Sequence, residues 1–220
     1  MQLARPSPPS ILERLKRETQ PWHTAVENRM PIMRPEFGMP DYRALVIRFY
    51  GFYAPVERSL WRVSGLEKAL PDWRTRRKVE WLALDLSALG LSSQQIADLP
   101  LCSRLPDLHD RPEALGCLYV LEGSTLGGQI IGRHLHAKLG LGLNDGARFF
   151  QSYVDQVGPM WKFFQRALLA SPPEAHDRII EAAVDTFECF HDWLAAGEPF
   201  QEASRLRECN SPSSRLKQGH

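Results

Sequence analysis

Apolar residues recur at three- and four-residue steps along most of this chain, and no stretch alternates in the β-branched manner of a strand. That property confines the fold to an all-α architecture. From Ile11 to Val26 the stripe is Leu12, Leu15, Trp22 and Val26, with Thr19 filling the gap. Tyr42, Leu45, Phe49, Phe52, Val56 and Leu60 make a second stripe, opened by Pro40 and Asp41. A third runs from about Arg74 to Leu89 and stops at Gly90. Ser92 and Gln95 then form a capping box for a short helix ending near Leu99.

Asp110, Pro112 and Glu113 start a long helix that runs to Lys138, just ahead of Gly140. The next is expected to break at Gly158-Pro159 and resume through Trp161 to Leu169. Ser171-Pro-Pro-Glu174 opens the last helix, which continues through Phe187, Phe190 and Trp193. The sum is a single-domain bundle of seven or eight helices over residues 11–201. Residues 1–10 read as a flexible N-terminus and residues 202–220 as a disordered polar tail.

Charge narrows the partners. Lys and Arg total 27 against 26 Asp and Glu, so no global basic field exists to hold nucleic acid or an anionic membrane. No segment is long and apolar enough for a membrane span, and the first ten residues lack the apolar core of a signal peptide. The four cysteines are irregularly spaced with no C-x-x-C, which argues against a disulfide framework or zinc ribbon. A cytoplasmic protein is the expectation.

Two features bear on chemistry. His23 lies beside the first apolar stripe, with Glu27 one turn later on the same face. An imidazole with one free nitrogen is a metal ligand when a carboxylate holds the proton on the other. A surface ion pair explains the same two residues. The second feature is the segment Gly123-Ser-Thr-Leu-Gly-Gly-Gln-Ile-Ile-Gly132 inside a helical pattern. Each mid-helix glycine costs roughly 1 kcal/mol relative to alanine, so Gly123, Gly127, Gly128 and Gly132 require a reason. Close helix packing is one reason, and close approach of the backbone to a flat ligand is another. A nucleotide phosphate loop fits less well, because no strand precedes the segment and no Gly-Lys-Ser/Thr follows.

Leu15-Lys-Arg-Glu-Thr-Gln-Pro-Trp-His-Thr-Ala-Val-Glu27 resembles the proximal-helix motif of haem oxygenases. Leu118-Tyr-Val-Leu-Glu-Gly-Ser-Thr-Leu-Gly-Gly-Gln129 resembles their distal-helix motif, and Thr186-Phe-Glu-Cys-Phe-His-Asp-Trp-Leu194 agrees with the bacterial branch. The resemblance covers roughly Ile11 to Leu194 and is nearest to enzymes that supply biliverdin to bacterial phytochromes. It implies haem b, as cofactor and substrate, between a proximal helix and a glycine-bent distal helix. It implies His23 as axial iron ligand, Glu27 as its support, and Lys16 against a propionate. Gly123 and Gly127 would lie over the distal face, with Gly128 also contacting the cofactor and Tyr53 and Ser124 ordering water there. Products would be biliverdin (the IXα isomer), CO and ferrous iron, from O2 and electrons of a ferredoxin or reductase. A bacteriophytochrome would receive the biliverdin.

Two residues depart from the family pattern. Ser124 stands where many members carry aspartate, and Pro21 lies two residues before the ligand without a backbone donor. Either the first helix bends at Pro21 or a new segment starts after Thr19, in which case Lys16 would point away. Arg74-Thr-Arg-Arg-Lys78 reads as a solvated helix start, or else as a docking patch for an acidic electron donor; Arg133 and Lys138 suit that docking role equally. Three rivals remain at this stage. One is a haem carrier that never turns over, and another a bare interaction module whose glycines only pack helices. The third is a non-haem di-iron oxidase built on Glu188-Cys-Phe-His191, although di-iron sites use that motif twice.

Overall fold

The computed structural model describes residues 8–196, and the tail expected over 202–220 lies outside them. Among the described residues there are nine α-helices and no strand. They are α1 Ile11–Asn28, α2 Met39–Leu60, α3 Leu66–Ala69, α4 Val79–Ala88, α5 Ser93–Ala97, α6 Arg111–Leu139, α7 Arg148–Gln151, α8 Val157–Leu169 and α9 His176–Ala196. The count exceeds the expected seven or eight because α3 and α7 are single turns of four residues, too short to show periodicity.

Helix α1 starts on a capping box, with Ser10 N–H donating to Glu13 Oε2 at 2.7 Å and Glu13 N–H to Ser10 Oγ at 3.3 Å. It then runs unbroken through Pro21, so no new segment begins after Thr19. Helix α2 carries a second internal proline, Pro55. A proline there frees the carbonyl four residues earlier. Gly51 O accepts instead from Cys102 N at 2.8 Å, across to the segment after α5. Close approach requires glycine there, since a β-carbon at Gly51 would lie 2.6 Å from Pro100 O.

Two expected boundaries move. The helix expected from Arg74 begins at Val79, preceded by a 3-10 turn over Trp73–Arg76. The break expected at Gly158-Pro159 falls earlier, between α7 and α8. There Ser152 and Val154 adopt positive φ of 48° and 55°. Gly158 and Pro159 sit in the first turn of α8, where a missing proline N–H costs nothing.

Helix α9 is the spine of the bundle, packing along both α1 and α6. Its buried face includes Ile179, Ala183, Phe187 and Phe190. On α6, Gly116 lets the two helices close up, because a β-carbon would lie 2.1 Å from Ile179 O. Since α1 and α6 are held chiefly by α9, a cleft opens between them. No helix among the described residues is long and apolar enough to cross a membrane.

Candidate functional site

The cleft has a volume of about 370 Å³, within the usual range for small-molecule sites. Lys16, His23 and Glu27 line it from α1, and Gly123, Ser124 and Gly127 from α6. Phe49 and Tyr53 of α2, Phe149 and Phe150 of α7, Trp161 of α8, and Phe187 and Phe190 of α9 supply aromatic walls. A larger depression of about 520 Å³ beside Tyr50, Trp61 and Arg77 is shallower and more open, and holds no histidine.

The His23 side chain is 51% exposed, with Nδ1 at 3.4 Å from Glu27 Oε2. That is an ion-pair distance and long for a hydrogen bond. Its ring meets Phe187 edge-on at 5.9 Å between centroids. Among the described residues nothing bonds Nε2. Lys16 lines the same cleft two turns earlier, because α1 stays helical through Pro21.

The four glycines divide by direction. A β-carbon at Gly127 would meet nothing within 4 Å, and one at Gly123 only Trp161 Cη2 at 3.9 Å. Both glycines leave bare backbone beside the cleft. Gly128 is buried and turned elsewhere. A β-carbon there would lie 2.8 Å from Phe150 O, and Gly128 does not line the cleft. Its expected contact with the cofactor therefore gives way to packing against α7. Gly132 also sits over Phe150 and Gln151, at ordinary contact distance.

Ser124 Oγ donates to Leu121 O at 2.8 Å, so at 3.2 Å the Tyr53 hydroxyl is the donor to Ser124 Oγ. Burial pushes the Tyr53 phenol well above its usual range, which keeps it a neutral hydroxyl. The pair offers hydroxyl groups to water but no carboxylate.

The sequence reading missed a cluster behind α6. Arg76 and Lys78, taken as a solvated run, are fully buried and pair with Glu122, itself buried. A charge run signals solvent only when no buried partner exists, and Glu122 lies more than forty residues away along the chain. The aromatic walls of α7 and α8 were also missed; only the fold gathers them. Lys138, considered for docking, is bonded to Arg34 O, while Arg133 is exposed.

The di-iron alternative finds no support in the arrangement. Glu188 reaches Arg104 at 3.4 Å, His191 pairs with Arg29 and Asp192, and no cluster of three potential ligands occurs among the described residues. The cleft does suit a flat, largely apolar group carrying a metal and an anionic edge. It offers one imidazole with a free nitrogen, one lysine at the rim, aromatic walls and bare glycine backbone.

Comparisons with known proteins agree with one another. The family model described as Heme oxygenase matches residues 10–196. A heme oxygenase of Xanthomonas campestris pv. campestris is 34% identical over 156 residues, covering 66% of this chain and 89% of that protein. The fold is similar to the NO- and CO-bound heme oxygenase from Neisseria meningitidis, with a TM-score of 0.65 and 23% identity, over 85% of this chain and 91% of that one. It is also similar to heme oxygenase from Leptospira interrogans, with a TM-score of 0.69 and 17% identity, over 86% of this chain and 100% of that one.

Proposed function

The chain belongs to the haem oxygenase family, and from that premise we propose that it binds haem in the cleft between α1 and α6 and opens the ring to biliverdin, CO and ferrous iron. The observation that carries this reading is the pairing, across one cleft, of an imidazole with a free Nε2 and two glycines that leave their side of the cleft bare.

Each residue then has a task that follows from its surroundings. His23 would hold the iron through Nε2, with Glu27 facing Nδ1 and favouring the proton on that nitrogen. Lys16, on the same cleft, would meet a propionate as a point charge. Gly123 and Gly127 leave open space on the wall facing His23 that a side chain would fill and that dioxygen would need. Tyr53 donates to Ser124, whose remaining lone pair can anchor water close to that space. Haem itself supplies the iron that activates dioxygen and the meso carbon that is oxidised. The protein orients the ring, holds the water and keeps the distal side narrow.

Electrons come in this reading from a ferredoxin or reductase, and exposed Arg133 near the glycine segment offers an acidic partner a contact. Attack at the α position, giving biliverdin IXα, and delivery to a bacteriophytochrome rest on the motif resemblance. A cytoplasmic setting is consistent with the free thiols of Cys102, Cys117 and Cys189. A carrier would need the same axial ligand, but no bare distal backbone. The test is His23→Ala: loss of the histidine-ligated haem spectrum, with the fold intact by circular dichroism, is the expected result. An unchanged spectrum and unchanged turnover would overturn the assignment.

A further inference from the structure

Behind the glycine face of α6, side chains from two other segments converge on Glu122: Arg76 and Lys78 from the stretch before α4, and Tyr153 from the turn after α7. Glu122 Oε2 accepts from Arg76 Nη1, and its Oε1 from Lys78 Nζ and, at 2.9 Å, from the Tyr153 hydroxyl. Arg76 continues outward, with Nε and Nη2 on Asp72 at 3.1 and 2.8 Å and Nη2 also on Met160 O at 3.2 Å. The cavity touching Arg76 holds about 10 Å³, room for one water at most. Such a cluster loses much of its attraction to desolvation, so apolar residues would hold the fold as well. Stability alone does not account for it.

Direction does. Glu122 precedes Gly123 and Ser124, so fixing its carboxylate fixes the rotation of α6 where it meets the cleft. Met160 precedes Trp161, the side chain standing off Gly123. Tyr153 sits between Ser152 and Val154, both at positive φ that side chains of their kind rarely adopt. Its bond to Glu122 holds that strained turn, which follows directly on Phe149 and Phe150. Gly123, Ser124, Trp161 and the turn after Phe149 and Phe150 are thereby tied to one carboxylate, alongside the hold that Asp85 has on the start of α7.

We infer that Glu122 is a positioning residue: with Arg76, Lys78 and Tyr153 it sets the rotation of α6 and the stand-off of Trp161 and Phe149, and so the space over the substrate's distal face. The inference rests on the haem-degrading reading and deepens it. Glu122 touches no substrate; it acts through Gly123, Ser124 and Trp161.

The experiment compares full-length wild type with Glu122→Gln, Tyr153→Phe and the charge-balanced pair Glu122→Gln with Lys78→Met, at a temperature where each is folded by circular dichroism. Haem titration, the pH midpoint of the ferric haem spectrum, kcat and the ratio of biliverdin isomers are read for each. Expected are haem affinities within about threefold of wild type, kcat lower by about tenfold in both Glu122 variants and by less in Tyr153→Phe, and a moved spectral midpoint or isomer ratio. Should Glu122→Gln not fold, the charge-balanced pair and Tyr153→Phe decide by the same readouts. Folded variants with wild-type kcat, midpoint and isomer ratio would overturn the positioning role. A wild-type chain that takes up no haem would instead overturn the functional reading beneath it, and this inference with it.

Discussion

His23 Nδ1 stands 3.4 Å from Glu27 Oε2, one turn along α1, and Nε2 is left without a partner among the described residues. The pair is half exposed, so its direct worth to folding is small. Glu27→Ala is therefore expected to leave the melting temperature unchanged while weakening haem binding about tenfold, the usual scale for a ligand's supporting carboxylate. Equal affinity in variant and wild type, measured by titration, would remove Glu27 from the site.

Adjacent glycines on α6 should respond in opposite ways. Gly127→Ala places a β-carbon in open space and removes a helix penalty of roughly 1 kcal/mol, so thermal unfolding should shift upward. Gly128→Ala drives a β-carbon to 2.8 Å from Phe150 O and should destabilise by about 1–3 kcal/mol. The larger Gly127→Leu should fill the cleft and abolish most turnover with the fold intact. Equal effects of alanine at the two positions would contradict their assigned directions.

Tyr53→Phe deletes the donor to Ser124 while Ser124 keeps its own bond to Leu121 O. No buried donor is orphaned, so the stability loss should stay near 1 kcal/mol. Turnover should fall severalfold with haem affinity retained. Activity equal to wild type would show that the hydroxyl pair orders no water the reaction needs.

Asp85 sets a pH signature for the fold. Its carboxylate oxygens accept from Arg148 N at 2.7 Å and Phe149 N at 2.8 Å, holding the start of α7. Burial outweighs those bonds and pushes the carboxyl up to about 6. The native state therefore holds this proton more tightly than the unfolded chain, whose value lies near 4. The contribution is complete below about pH 4 and is lost as pH rises through 6, a change of about 3 kcal/mol. Wild type should lose stability over that window relative to Asp85→Asn. Parallel melting profiles for the two proteins, or the opposite slope, would contradict it.

Much of this was legible in the residues. The ends of α6 announced themselves through Asp110, Pro112, Glu113 and Gly140: the helix starts at Arg111 right after Asp110 and stops on Gly140 in the left-handed region. His23, Glu27, Ser124, Tyr53, Gly123 and Gly127 do share one cleft. Gly128 was not separable from Gly127, because neighbours on a helix differ by about 100° in direction and only the position of α7 decides which is packed. Arg76 and Lys78 looked solvated because burial of a cation depends on a distant carboxylate that no local pattern reveals. Gly158-Pro159 looked like a break, yet the first turn of a helix accepts both residues. The true break at Ser152 and Val154 is made by backbone conformations that tertiary contacts impose.

An enzyme differs from a carrier in whether this cleft turns haem over or merely holds it. Haem is added to the purified chain, its Soret band recorded, and a reductant supplied under air. The Soret band is expected to decay while biliverdin absorption grows, and His23→Ala to show no such conversion. A Soret band that persists unchanged through reduction in air would contradict turnover in this cleft.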